Sequence, residues 1–152
     1  MKLEPRISVI TLGVDDLDRA AGFYDAMGLE RNRKFTEGVA FFQMGGMILA
    51  LWPRAELAKD AGLADTPPTA SGGEAVPGFS GVALAYNTRS EAEVAAILDQ
   101  AETAGGRILR PAARAFWGGV QGYFTDTEGN LWEVAHNPEF PIDTEGRIAL
   151  PQ

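Results

Sequence analysis

The sequence predicts an α+β fold of two βαβββ modules that form a cupped sheet, with the helices on its outer face. Three observations predict this fold. Apolar β-branched runs alternate with segments of helical periodicity. The same order of elements occurs twice, in stretches of about fifty residues. A segment rich in Gly, Pro and small polar residues, 62–78, separates the two stretches.

The first module spans about 6–53 and opens with a β-branched strand at 7–14. Asp15 or Asp16 caps a helix at 17–27, whose apolar residues recur at steps of three and four, and Gly28 ends it. Three strands follow at 30–35, 38–44 and 46–52, with turns at Glu37-Gly38 and Gly45-Gly46.

A linker of about 54–78, with a short helix at 55–61, leads to the second module at about 79–137. There Ser90 and Glu93 predict a capping box for a helix at 91–104. The strands of this module are predicted at 79–87, 106–110, 118–126 and 130–136. With a tail at 138–152, we expect one domain over 1–152.

Charge and composition exclude several classes of partner. The net charge of −8 argues against nucleic acid and anionic membranes, which require basic patches. The chain has no cysteine, so disulfides and thiolate metal sites are excluded. No apolar run approaches the roughly 18 to 20 residues of a membrane-spanning helix. Because residues 1–5 lack the apolar stretch of a signal peptide, we expect a cytoplasmic location.

Two segments resemble one family. Residues 11–20, with Phe23-Tyr24 and Gly28-Leu29 after them, resemble the opening of vicinal oxygen chelate proteins, the superfamily of glyoxalases, bleomycin resistance proteins and extradiol dioxygenases. Residues 124–134 resemble the family's closing hairpin, in which Thr127 stands here in place of the Pro of an Asp-Pro-Asp-Gly turn. The resemblance covers nearly the whole chain and implies paired βαβββ modules around a cupped mixed sheet.

In its metalloenzymes, the family implies a divalent metal held by His, Glu or Gln on the first and last strands of each module. The matching positions here are Val9, Ala50, Gly81 and Glu133. Val, Ala and Gly offer no side-chain donor, and one carboxylate alone makes no tight site. We therefore expect no metal ligand set and no cofactor. His136, the sole histidine, falls on the opposite strand face from Glu133 and would need a bulge to join it.

Strand alternation predicts which side chains line the cup. Leu49, Leu51, Val82 and Leu84 are expected in the core. The residues expected to contact a ligand are Thr11, Trp52, Gly81, Ala83, Trp117, Tyr123 and Glu133. Many cup-facing side chains are small, which leaves space that a ligand, water or another part of the chain must fill.

Glu133 carries two interpretations. In the first, the carboxylate binds a cationic or polar ligand or serves as a general base. In the second, it accepts hydrogen bonds from nearby hydroxyls, such as that of Thr11, or from water. Trp117 either stacks on a flat or cationic ligand or fills core space at a strand edge. The basic residues Arg31, Arg33 and Lys34 are interpreted as a solvated strand face.

The residues and the resemblance are compatible with three functions. The first is a metal-free homodimer that binds a small organic molecule, cationic or aromatic, as bleomycin resistance proteins do. The second is a glyoxalase-like lyase, isomerase or dioxygenase that uses a non-standard metal site or Glu133 as general base. The third is a structural or regulatory protein with an empty cup, which the predicted lining of Gly and Ala does not favour.

Overall fold

The structure, a computed structural model, describes residues 3–65, 79–80 and 82–150. The chain divides into two compact units, Met1–Asp65 and Thr66–Gln152, each with its own sheet. The boundary falls within the segment predicted as a linker. In the described residues, no helix combines the length and the apolar character needed to cross a membrane.

The first unit has a three-stranded sheet in the order β1-β3-β2, with β1 parallel and β2 antiparallel to β3. Its elements are β1 (Val9–Val14), α1 (Leu17–Ala26), β2 (Ala40–Met44), β3 (Met47–Pro53) and α2 (Arg54–Asp60). Asp16 caps α1, because its side chain accepts a hydrogen bond of 3.0 Å from the backbone N of Arg19. The predicted cap and helix are confirmed.

The apolar side of α1 covers one face of this sheet. Ala20, Ala21, Phe23 and Tyr24 are buried, and the Tyr24 ring lies 5.9 Å from that of Phe42 on β2. The β2–β3 register places Phe42 beside Leu49, so both belong to the face under α1. Leu49 and Leu51 are buried, as predicted for core residues.

The predicted strand at 30–35 is wrong. It is reduced to one antiparallel bridge between Arg31 and Phe42. The cause is local: Asn32 Oδ1 accepts hydrogen bonds from the backbone N of Lys34, at 3.0 Å, and of Phe35, at 3.2 Å. This turn competes with strand pairing and bends the chain away from β2.

The second unit has a four-stranded sheet in the order β4-β7-β6-β5. β4 is parallel to β7, and the other pairs are antiparallel. Its elements are β4 (Leu84–Asn87), α3 (Glu91–Thr103), β5 (Arg107–Arg114), β6 (Val120–Thr125) and β7 (Leu131–His136). The predicted capping box of Ser90 and Glu93 is present at the start of α3. With two mixed sheets and helices packed on them, the predicted α+β class is confirmed.

A glycine determines how closely α3 approaches its sheet. α3 buries Val94, Leu98 and Ala101. A Cβ added to Gly122 of β6 would collide with Cδ1 of Leu98 and would lie 2.8 Å from the carbonyl oxygen of Arg110. Only glycine therefore fits at this position, and α3 lies on the Gly122 side of the sheet.

Two strand predictions in this unit had wrong boundaries. The strand predicted at 79–87 begins only at Leu84, which pairs with Trp132 near the start of β7, and the ladder includes no described residue before Leu84. Val82, predicted in the core, is 58% exposed. The strand predicted at 106–110 continues to Arg114 through Pro111. A proline fits there because β5 is an edge strand with register shifts around it.

Candidate functional site

Tyr123 and Glu133 form the most distinctive polar pair of the second unit. The β6–β7 register makes them direct cross-strand neighbours, and the Tyr123 phenol donates a hydrogen bond of 2.9 Å to Glu133 Oε2. Both side chains are half-buried. Oε1 of Glu133 accepts no hydrogen bond from the described residues, so it is the oxygen that is left for a further donor.

Strand alternation sets the direction of this pair. Because Gly122 and its partner Val134 face α3, Tyr123 and Glu133 point to the opposite side of the sheet. The sheet register places further residues on that side. We call this surface the Glu133 face; it consists of Ala85, Arg110, Gln121, Tyr123, Glu133 and Ala135.

The Glu133 face combines small neighbours with opposite charges. Ala85 pairs with Glu133 from β4, and Ala135 follows two residues along β7, so no large side chain flanks the carboxylate along these two directions. Arg110 pairs with Tyr123 from the other side. A guanidinium, a phenol and a carboxylate therefore follow each other across three strands.

The protonation of Tyr123 follows from these surroundings. Burial raises the pKa of the Tyr123 phenol, and the hydrogen bond and the charge of Glu133 raise it further, whereas the charge of Arg110 opposes them. The phenol is therefore neutral at physiological pH and serves as a donor to the carboxylate.

Glu133 thus has a hydroxyl partner, as one interpretation of the sequence expected, but the hydroxyl belongs to Tyr123. The pair requires the β6–β7 register, which the sequence did not supply. Alternation had placed both residues on the same side of the sheet, and this was the only sequence signal for the pair.

The remaining predicted ligand residues lie in different surroundings. Thr11 is exposed on β1 beside Ala50, and Trp52 is half-buried on β3 beside Gly13. Ala83 is exposed just before β4. Gly81 lies outside the described residues.

Trp117 belongs to the turn between β5 and β6. Its ring occupies the space into which a Cβ on Gly119 would project, and the residue is 36% exposed. It therefore packs on the hairpin backbone and still presents part of its surface to solvent. Its predicted contact with a ligand stays a prediction.

The family's metal-ligand positions do not fit a metal in this chain. Val9 and Ala50 carry only alkyl groups, and Gly81 has no side chain. Within the described ranges, no three His, Asp or Glu side chains come together as a metal-binding group. His136 lies on the face opposite Glu133, as predicted, with Nδ1 3.2 Å from the carbonyl oxygen of Thr88. Hydrogen bonding and proton transfer are the chemistry that the Glu133 carboxylate offers by itself.

The sequence interpretation missed a basic cavity in the first unit. Arg31, interpreted as part of a solvated strand face, lines a cavity of about 770 Å³ instead. We call it the Arg31 cavity; its lining is Glu30, Arg31, Asn32, Arg33, Phe35, Phe41, Phe42, Gln43 and Ile48. Basic and aromatic residues adjacent in an acidic chain were the signal that could have found it.

Comparison with known proteins agrees with this architecture. Residues 6–134 match the model of the Glyoxalase/Bleomycin resistance protein/Dioxygenase superfamily. The chain belongs to this superfamily. A comparison with curated proteins gave no significant match.

Several solved structures are similar to this chain. A glyoxalase-related enzyme from Fulvimarina pelagi is 36% identical, with a TM-score of 0.83, over 98% of this chain and 100% of that one. A lactoylglutathione lyase from Agrobacterium tumefaciens is 26% identical, with a TM-score of 0.60, over 90% and 96%. A glyoxalase/bleomycin resistance protein/dioxygenase family enzyme from Burkholderia phytofirmans PsJN, at 15% identity and a TM-score of 0.69 over 85% and 96%, shares the fold.

Proposed function

We propose that this chain binds a small organic molecule on the Glu133 face, without a divalent metal. The observation that carries the proposal is the Tyr123–Glu133 hydrogen bond, which engages Oε2 and leaves Oε1 as an acceptor. The matching ligand group is a donor, and a charge-assisted bond from a protonated amine is the strongest form of that contact. The net charge of −8 favours the approach of a cation.

The ligand class follows from the neighbours of Glu133. Ala85 is small and exposed and pairs with Glu133 from β4, so a bulky group can lie on that side of the carboxylate while its amine reaches Oε1. We therefore propose an amine with an apolar or aromatic body. In this proposal Trp117 and Ala83 supply further ligand contacts, and the protein acts as a cytoplasmic homodimer, which sedimentation and cell fractionation test.

The test titrates the full chain with phenethylamine and measures binding by protein-observed NMR. We expect Glu133→Gln to weaken binding about tenfold, because a neutral amide replaces the charged acceptor. Tyr123→Phe should change affinity less, since the carboxylate remains. Glu139→Gln, at an exposed position of the same unit, is the matched control and should bind like the wild type.

Two results would overturn the proposal. One is equal affinity of phenethylamine for the Glu133→Gln variant, the Glu139→Gln control and the wild type, or no binding to any of them. The other is a stoichiometric divalent metal in the purified protein whose removal abolishes binding, since the proposal requires a metal-free site.

A second candidate, an enzyme that uses Glu133 as general base, is favoured by the 36% identity to a protein described as a glyoxalase-related enzyme. Here Oε1 removes a proton from a carbon next to a carbonyl. The C–H electron pair forms the C=C bond of an enolate while the carbonyl π pair moves to oxygen, and the protonated Glu133 returns a proton to the carbon as the carbonyl re-forms. Exchange of the α-proton of lactoylglutathione in D2O, lost in Glu133→Gln, would support this candidate over simple binding.

A further inference from the structure

The Arg31 cavity contains a guanidinium with unused hydrogen-bonding capacity. Arg31 Nη2 donates to the carbonyl oxygens of Val39, at 3.1 Å, and Thr36, at 3.5 Å. Its Nε is buried and has no hydrogen-bond partner. Arg31 forms no ion pair with a carboxylate of the described residues, so its positive charge is left for an anion in the cavity that it lines.

Hydrogen bonds attach the loop that carries this guanidinium to β2. Asn32 N donates to the carbonyl oxygen of Phe41, at 2.8 Å, and Asn32 Oδ1 caps the backbone of Lys34 and Phe35. Arg31 itself forms the bridge to Phe42. The 31–35 segment is therefore attached to the edge strand β2, next to the cavity that Arg31, Arg33 and Phe35 line.

Charge and apolar surface are combined in the lining. Two guanidinium groups, of Arg31 and Arg33, face one carboxylate, that of Glu30. Phe35, Phe41 and Ile48 supply apolar surface to the same cavity, and Phe35 is 57% exposed. Guanidinium groups match a carboxylate geometrically, whereas aromatic rings match a flat apolar body.

We propose that the Arg31 cavity binds a small organic carboxylate with an apolar or aromatic body. The carboxylate pairs with the guanidinium groups of Arg31 and Arg33, while the body lies against Phe35, Phe41 and Ile48. This site goes beyond the proposed function, because its residues all belong to the first unit and its ligand has the opposite charge.

A neighbouring cavity of about 700 Å³ explains why the anion binds on this side of the loop. It shares Glu30, Arg31, Asn32 and Arg33 with the Arg31 cavity, but Asp18 and Asp25 line it as well. These added carboxylates repel an anion, and the cavity contains none of the phenylalanine rings.

The experiment titrates the full chain with phenylacetate and follows amide shifts by NMR. Benzyl alcohol is the uncharged comparison ligand. We expect phenylacetate to shift residues of the Arg31 cavity and benzyl alcohol to bind at least about tenfold more weakly, because it lacks the charge-assisted bonds. Since phenethylamine tests the Glu133 face, the two proposals can fail separately.

Variants test which guanidinium groups bind the carboxylate of phenylacetate. Arg31→Gln should weaken phenylacetate binding about tenfold, but it also removes the bonds to Val39 and Thr36 and requires a check of folding by circular dichroism. Arg33→Gln, at an exposed position, keeps the fold and should weaken binding several-fold. Lys59→Gln on α2 is the matched control, because Lys59 is exposed and does not line the cavity. Equal binding by Arg33→Gln and Lys59→Gln, or equal binding of benzyl alcohol and phenylacetate, would refute the site.

Discussion

The phenol of Tyr123 lies directly opposite the carboxylate of Glu133 and donates to it at 2.9 Å, so the pKa of Tyr123 depends on Glu133. Burial is the largest cause of the raised Tyr123 pKa, and Glu133 adds its hydrogen bond and its charge. Phenolate formation would place two negative charges next to each other. The pKa of Tyr123 therefore responds to a change of charge on the Glu133 face.

We predict that the free energy of unfolding falls at alkaline pH through Tyr123. Because the pKa is raised in the folded state, the unfolded chain loses this proton first as pH rises above the ordinary value of 10.0. The stabilising contribution is complete below that value and is lost as pH rises towards the folded pKa. Urea unfolding at increasing pH should show a steeper fall in the free energy of unfolding for the wild type than for Tyr123→Phe. Parallel curves of this free energy against pH would contradict the assignment to Tyr123.

Glu133→Gln separates the contribution of burial to the raised Tyr123 pKa from the contribution of the Glu133 charge. The substitution removes the negative charge but leaves Tyr123 buried, so its pKa should fall only part of the way to the ordinary value. Phenolate absorbance during alkaline titration measures this change, with Tyr123→Phe identifying the signal. Full return to the ordinary value would show that burial does not contribute.

Gly122→Ala should destabilise the second unit by about 1–3 kcal/mol, because the new Cβ meets Leu98 and the Arg110 carbonyl, and backbone cannot move aside cheaply. Gly22→Ala is the matched control. Gly22 is an exposed residue inside α1 whose added Cβ meets no atom within 4 Å, so alanine should stabilise by about 0.5–1 kcal/mol. Denaturant midpoints measure both effects, and two changes of the same sign would argue against the close approach of α3.

The sequence predicted the capped helices α1 and α3 well because their signals are local. Asp16 and the Ser90–Glu93 capping box act within one turn of the chain, so residue type and spacing were sufficient. The error at 30–35 was also local, since the side chain of Asn32 forms a turn where periodicity favoured a strand.

The register between neighbouring strands could not be predicted from the sequence. The length of β5 depends on its position at the sheet edge, which permits Pro111, and the start of β4 depends on where β7 begins. The Tyr123–Glu133 pair and the Arg31 cavity depend on tertiary neighbours in the same way. Alternation gave the strand face of Glu133, but not which hydroxyl it contacts.

The turn before β7 offers a stabilising substitution. Thr127 stands where the family's turn has Pro, and its buried Oγ1 has no hydrogen-bond partner. Gly129 N donates to the carbonyl oxygen of Asp126, at 3.2 Å, so Thr127 is the second residue of a four-residue turn, a position that favours proline. The backbone N of Thr127 donates to no described residue, so proline removes no bond here.

We therefore predict that Thr127→Pro stabilises the protein by about 1 kcal/mol, through a less flexible unfolded chain and the loss of an unpaired buried hydroxyl. Thr127→Ala serves as the control, since it removes the hydroxyl without restricting the backbone, and it should recover only part of the gain. Thermal and denaturant unfolding measure both variants. If proline destabilises while alanine does not, the turn cannot accommodate the ring, and the conformation at Thr127 differs from that of the family's Asp-Pro-Asp-Gly turn.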